Sequence, residues 1–546
     1  MRRALLCCAL LTLTVVGCSS SAATPTAPWN PNGPNYSATG APATAAPASQ
    51  AAVLPPAASA APATAAQQWP VPTPYPWQTA YPWETAAATP QPFPQATFPE
   101  TSTNPYVDTT RDHLSTFGLD VDTASYTVAR GAIGQGIRPD PSSIRPEEWV
   151  NYFDQGYAAP ETGAFAISAD GGRTPFLSAN EVLLRVGVKA RETAKTERPS
   201  AALTFVIDVS GSMGDSGKLE LVKQSLAVLV SQLRGDDSVG IVVFTTDARV
   251  VLQPTSAENR EAILGAIASL RPEENTNVDA GLNLGYDMAR RQYKPGGINR
   301  VVVATDGVAN QGNVDPQTIL NEIGDPSTTH IQLVAIGVGM GNYNDALLEK
   351  LADKGEGFYA YVDTLEEARK VFVDQLVTTI DTVAIDAKAQ IDFNPATVAG
   401  YRLIGYEDRA VGDSDFRSST AKGGGIGAGH QVTALYALVL RSTESGDGRL
   451  ATVTLRWTDP NTSQSTEMAR DVSRGNLAAD FANTDPHFKL DSLVAATAEV
   501  LRRSPWIPNY SMRDLQAAAN ALQWQLPNTE QVQDFLKLIS QIRTWD

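Results

Sequence analysis

Between Ala201 and Ile380 the sequence alternates apolar runs with amphipathic stretches, and this pattern restricts the fold more than any other feature of the chain. ALTFVID, SVGIVVF, NRVVVATD, HIQLVAIGVG and GFYAYV have no polar face, so strands made from them must be covered on both sides. KLELVKQSLAVLVSQL and VDAGLNLGYDMARRQ carry helical spacing, and a closing helix is expected from Leu365 to Ile380. The expected fold class is therefore α/β, with a doubly wound, mostly parallel sheet over residues 199–380. In such a sheet the ligand site lies at the carboxyl ends of the strands.

On both sides of this block the period changes to two. EVLLRVGVKA (Glu181 to Ala190) precedes it, and DTVAIDAKAQIDF, HQVTALYALVLRS and GRLATVTLRWTDP follow it. The strands between Phe165 and Ala190 are expected to join those after Asp381 in a β-rich, sandwich-like domain, which makes the α/β block an insertion. From Pro486 onward the pattern is helical, and Val532, Phe535, Leu536 and Ile539 share one face of the last helix. Two helices are expected between residues 112 and 157. Asp122 or Thr123 is expected to cap the first, Ser142 or Ser143 is expected to begin the second, and Trp149, Tyr152 and Phe153 fall on one side. GGGIGAG, from Gly423 to Gly429, reads as a flexible loop.

The N-terminus, MRRALLCCALLTLTVVGCSS, sets Arg2 and Arg3 before an apolar run from Ala4 to Val16. At about 1.5 Å per residue that run reaches roughly 20 Å, short of the roughly 30 Å hydrocarbon layer of a membrane. Val15 and Gly17 before Cys18 resemble a lipobox, so residues 1–18 read as a lipoprotein signal peptide and Cys18 as an acylated anchor. The other two cysteines, Cys7 and Cys8, lie in the part that would be removed. The expected location is the cell envelope, at the outer membrane or the extracellular face of the plasma membrane. Residues 19–105, rich in Ala, Pro and Thr, read as a disordered linker. The net charge of −17 comes without any basic stripe, which excludes nucleic acid as a natural partner. His113, His330, His430 and His487 show no zinc-type spacing.

The chemistry concentrates at three strand ends. ALTFVID runs into Asp208-Val209-Ser210-Gly211-Ser212, Thr276 opens a later loop and helix, and VVVATD ends at Asp306. Three hydroxyls and two carboxylates form an oxygen-only donor set of low charge, suited to a hard cation such as Mg²⁺ that keeps some of its water. No serine or cysteine sits in a nucleophile elbow. Asp279 is a further carboxylate near the site, expected mainly to cap the helix that follows it. Removing Asp208 or Asp306 is expected to leave stability in chelator unchanged or slightly raised, because repulsion between acidic groups is relieved.

D-x-S-x-S with a later Thr and a later TDG resembles the metal ion-dependent adhesion site of von Willebrand factor type A domains, whose sheet is Rossmann-like. STFGLDVDTASYTVAR with EEWVNYFD, and FNPATVAGYRLIGYEDR with IGAGHQVTALYAL, resemble the flanking domains of a family of bacterial von Willebrand type A lipoproteins, so that the likeness spans residues 110–545. The resemblance implies that Ser210, Ser212 and Thr276 touch the metal, while Asp208 and Asp306 act through water or hydrogen bonds. It implies Mg²⁺, with Mn²⁺ or Ca²⁺ as alternatives, and a partner protein that offers an acidic residue to the metal. The function so implied is metal-dependent binding by a membrane-anchored, non-enzymatic protein. An envelope scaffold with a structural metal and a metal-assisted hydrolase remain as alternatives. The expected organisation is a signal peptide at 1–18, a linker at 19–105, an N-terminal flanking domain at 106–160, strands of the β-rich domain at 161–198, the type A domain at 199–380 and a C-terminal β-rich and helical domain at 381–546.

Overall fold

The structure, a computed structural model, describes residues 102–119, 122–193, 198–273, 275–307, 318–319, 321, 329–339, 345–355, 357–375, 382–418, 424–441, 448–460 and 462–545. The expectations for the signal sequence, for Cys18 and for nearly all of the linker lie outside the described residues. The chain opens with β1 (Val107–Asp108), β2 (Leu114–Gly118), α1 (Ala124–Gly134), α2 (Pro146–Asn151), β3 (Phe165–Gly172) and β4 (Glu181–Ala190). The α/β block holds β5 (Ala201–Asp208), α3 (Lys218–Gln232), β6 (Ser238–Phe244), β7 (Ala248–Ser256), α4 (Arg260–Ser269) and α5 (Val278–Arg291). It continues with β8 (Ile298–Thr305), β9 (Gln332–Val338), α6 (Asp345–Lys354), β10 (Tyr359–Val362) and α7 (Leu365–Arg369). After it come β11 (Thr382–Phe393), β12 (Val398–Ile404), β13 (Gly424–Gly427), β14 (Gln431–Leu440), β15 (Arg449–Thr458), β16 (Ser465–Ser473) and β17 (Leu477–Ala478). The chain ends with α8 (Pro486–Leu501), α9 (Met512–Leu522) and α10 (Glu530–Ile542).

The central block is the doubly wound sheet that its apolar runs require, in the order β10-β9-β8-β5-β6-β7. All neighbours are parallel except β7, which closes the edge antiparallel to β6. Every residue of β5 is buried. Phe205 and Ile207 face a core shared with α3 and α4, and Val206 faces a second core that contains Leu282 and Tyr286 of α5. The closing helix is shorter than its pattern suggests: α7 ends at Arg369 and the chain continues as a π turn to Gln375. Residues 376–380 lie outside the described ones.

The flanking strands do combine across the insertion. One sheet runs β1-β12-β14-β4-β3-β17, the other runs β13-β11-β15-β16 with β2 also on β11, and the core between them includes Phe117, Leu184, Ile391, Tyr436 and Leu455. β4 and β14 are buried on both faces, because α2 and the C-terminal helices cover the far side around Trp149, Leu183, Leu435 and Phe535. The glycine stretch is not a loop throughout, since Gly424–Gly427 pairs with β11 as β13. Near the start of the described residues, the Asn104 side chain donates to the Leu403 and Gly405 carbonyls. The capping expectations need correcting too. Thr123 is the N-cap of α1 but makes no side-chain cap bond, and the turn at Pro141–Ser143 is capped by Asp140. The second helix itself begins later, at Pro146.

The N-terminal segment also docks on the α/β block. Ala124 and Val128, one turn apart on α1, pack with Tyr359 and Tyr361 of β10, while Tyr126, Ala129 and Ile133 face the C-terminal helices. Charged groups are buried across this seam. Arg145 pairs with Glu148 and lies 3.8 Å from Glu349 of α6, and Arg409 lies 3.1 Å from Asp122 and 3.8 Å from Glu349. Asp122, unused as a cap, accepts the Tyr359 backbone N–H at 3.0 Å.

Glu147, beside this network, carries a consequence for pH. Burial, reinforced by Glu407 and Glu148, pushes its carboxyl from an ordinary value near 4.5 up to about 7. Its Oε2 has no hydrogen-bond partner and lies against Gly405, where φ is +78° and a Cβ would meet the Glu147 nitrogen at 2.8 Å. Between those two pH values the folded chain holds a proton that the unfolded chain has released, so stability falls as pH rises through the window. Glu147→Gln removes that loss and is expected to gain stability relative to wild type as pH rises from 4.5 to 8, by an amount on the order of a few kcal/mol. Urea unfolding at both pH values checks it, and a constant difference between the two proteins would refute the assignment.

Candidate metal crevice

β5 delivers Asp208 to the carboxyl edge of the sheet, and the chain then leaves in a tight loop and a 3₁₀ turn anchored by the buried Met213. Asp208 organises this edge. One carboxylate oxygen accepts the Ser210 backbone N–H at 2.8 Å, and the other accepts the Thr305 hydroxyl at 2.6 Å, which ties β5 to β8. Ser210 Oγ and Ser212 Oγ are 3.1 Å apart. Asp208, Ser210 and Asp306 are at most 2 % exposed and Ser212 is only half-buried, so solvent reaches this group most readily at Ser212. Burial pushes the Asp208 carboxyl up to about 6, helped by the nearby Asp306 and opposed by the Thr305 and Ser210 hydrogen bonds.

Thr276 is buried in the next loop. That loop lies against the D-x-S-x-S turn through the Glu273 N–H, which donates to the Val209 carbonyl at 2.5 Å. It is also held to Thr246, beyond β6, by the side chains of Asn275 and Asn277. The helix after it is capped by Asn277, which accepts from Ala280 N–H, and not by Asp279. Asp279 instead accepts from Asn283 at 3.0 Å inside the first turn of α5.

Asp306, the first residue beyond β8, has a partner that the motif did not indicate. Its Oδ2 accepts from the ammonium of Lys218 at 2.9 Å, while its Oδ1 is buried with no hydrogen-bond partner. A bare, buried carboxylate oxygen is costly unless a cation or ordered water meets it. The buried Asp208 carboxylate is near that of Asp306, and the Ser210 and Ser212 hydroxyls follow Asp208 on the same turn, a donor set that fits a hard divalent cation retaining part of its water. Among the described residues no group of three His, Cys, Asp or Glu side chains is arranged to hold a metal ion, so any cation here depends on the hydroxyls. Thr305 is the second group that sequence reading left without a role, although it stands inside the TDG motif.

Comparison with known proteins agrees with this architecture. Residues 202–374 match the model of the von Willebrand factor type A domain, residues 92–185 match one described as von Willebrand factor, and residues 378–544 match "Uncharacterized protein YfbK, C-terminal". The protein YfbK of Escherichia coli K12 is 34 % identical over 461 residues, covering 80 % of this chain and 79 % of YfbK. Human inter-alpha-trypsin inhibitor heavy chain H4 is 27 % identical over 158 residues, 28 % of this chain and 17 % of that protein. Among solved structures, a von Willebrand factor type A protein from Catenulispora acidiphila is 16 % identical, with a TM-score of 0.42, and the match covers 71 % of this chain and 91 % of that one. One relative at 34 % identity thus aligns with four fifths of the chain, including the α/β block with its D-x-S-x-S and TDG strand ends matched by the type A model, and the chain belongs to the YfbK family of proteins with a von Willebrand factor type A domain.

Proposed function

We propose that this protein is a lipid-anchored component of the bacterial envelope that binds a partner protein through a divalent cation in the crevice of its type A domain. The observation that carries the reading is the buried Oδ1 of Asp306, left without a hydrogen-bond partner on a carboxylate close to that of Asp208, whose turn carries the Ser210–Ser212 hydroxyl pair. In this reading Ser210, Ser212 and Thr276 touch the metal. Asp208 and Asp306 hold it through water and through the loop geometry they fix. The bound cation supplies an electrophilic coordination position that an aspartate or glutamate of the partner fills. That resolves the charge problem of an acidic chain recognising an acidic group, since the cation locally inverts the field. Mg²⁺ suits the small oxygen set best, with Mn²⁺ or Ca²⁺ as alternatives. Envelope protein retained on the immobilised chain in Mg²⁺ should be released by chelator, and retention indifferent to chelator would end this reading.

The anchor in this proposal is Cys18, with Ser19 after it favouring transfer to an outer membrane. Among the described residues no helix is long and apolar enough to cross a membrane. Cys18→Ala is expected to leave an unprocessed precursor, or a protein absent from the detergent phase on partitioning. Mature, detergent-phase protein recovered from that variant would remove the anchor.

A further inference from the structure

We infer that Lys218 is a tethered counter-charge of the crevice, holding its affinity for the divalent cation down and leaving the loaded site more positive toward an acidic group. The inference rests on the proposed metal site and concerns its regulation. Lys218 is the first residue of α3, reached through two successive residues of positive φ, Ser216 at 53° and Gly217 at 73°. This turn brings a helix-terminal lysine back over the crevice. Its side chain is 6 % exposed and that of Asp306 is 2 %, so the pair is almost dry.

The aliphatic stem has a fitted seat. At Gly339, just past β9, φ is +72° and a Cβ would lie 2.4 Å from Lys218 Cγ. Any side chain there would displace the stem, so the absence of one leaves Lys218 its place. The ammonium occupies one oxygen of Asp306 and leaves the other unpartnered. An ion pair serving stability alone gains nothing from leaving that second oxygen bare. A cation held through water by the remaining oxygen shares the carboxylate with the ammonium, and the two repel. Asp208 and Asp306 bring two negative charges, so a divalent ion alone would give a neutral site. With Lys218 present the loaded site keeps one positive charge, available to a carboxylate from outside.

Mg²⁺ alone, titrated by calorimetry into the folded chain, decides it. Lys218→Met keeps the stem without the charge, and Lys218→Gln also keeps a donor for Asp306, so it should fold in chelator. Both are expected to bind Mg²⁺ roughly ten- to a hundredfold more tightly than wild type, since like charges a few ångströms apart repel strongly even at an effective dielectric constant near 20. The gap between melting temperatures in Mg²⁺ and in chelator should widen in step. Unchanged or weaker Mg²⁺ affinity, with melting lowered equally in both conditions, would make Lys218 a structural ion pair and overturn the inference. Absence of Mg²⁺ binding in all three proteins would instead overturn the metal site itself, and this inference with it.

Discussion

Asp208→Ala and Asp306→Ala are both expected to abolish Mg²⁺ binding and Mg²⁺-dependent capture of the partner, but in chelator only Asp306→Ala is expected to lose stability. In wild type, Mg²⁺ at about a hundred times its dissociation constant should add roughly 2.7 kcal/mol of stability, and in either variant nothing. Without metal, Asp208→Ala removes a buried carboxylate that the fold holds as an acid of raised pKa, and it also leaves the Thr305 hydroxyl and the Ser210 N–H without their acceptor. These effects are of similar size, so little net change is expected. Asp306→Ala leaves the Lys218 ammonium buried without its carboxylate and should cost about 3–5 kcal/mol. The sequence alone predicts both losses to be neutral or mildly stabilising. For Asp306 the lysine reverses the sign. Calorimetry and melting with and without chelator measure all of this, and equal Mg²⁺ affinity in wild type and Asp208→Ala would eliminate the site.

Arg145→Met is expected to cost about 3–5 kcal/mol, the largest effect anticipated outside the crevice. The arginine is 3 % exposed, and it balances Glu148, which is wholly buried, together with Glu349 from the α/β block. Removing it leaves the acidic groups of the seam with Arg409 as the remaining arginine of this network, at 3.9 Å from Glu148 and 3.8 Å from Glu349. The exposed Lys537–Asp534 pair serves as control, and Lys537→Ala should leave stability almost unchanged. Guanidinium unfolding followed by tryptophan fluorescence, to which Trp149 in the core beside this seam contributes, measures the loss. A change below about 1 kcal/mol for Arg145→Met would show that the seam is held by its apolar contacts alone.

What could be read in the sequence follows from how local its cause is. The apolar runs of β5, β6 and β8 admit only a covered sheet, and D-x-S-x-S at the end of β5 places its oxygens by strand geometry alone. Period two identified β4, β11, β14 and β15 because each must present an apolar face to the sandwich core. β7 escaped notice because it is an exposed edge strand, ARVVLQPTS, with no buried face to impose a pattern. β13 was missed because glycine has no side chain to alternate. Asn277 and Asp279 are both good capping residues two positions apart, and only backbone geometry chooses between them. Lys218 reads as the solvated start of a helix, and the left-handed turn that brings it inward is invisible in composition. The buried charges of Asp122, Arg145 and Arg409 depend on three segments far apart in the chain, so no local window contains their reason for being there.

The insertion of the α/β block also sets an order of assembly. Its two ends meet one turn of the sandwich: Ala190 N–H donates to the His430 carbonyl at 2.8 Å, and Thr382 pairs with Gly427. As the chain emerges N-terminus first, β3 and β4 appear early, but β14, which pairs with β4 along nine registered positions, appears only after the whole insert. Lys189 and Gly429, bonded at 2.7 Å, are 240 residues apart. The parallel sheet is contiguous and can close on its own while β4 still waits with one edge unpaired, a state in which a strand invites foreign pairing. During synthesis, then, the interval between β4 and β14 is when this protein most needs a holding chaperone, and the crevice end of the molecule is finished before the body that carries it.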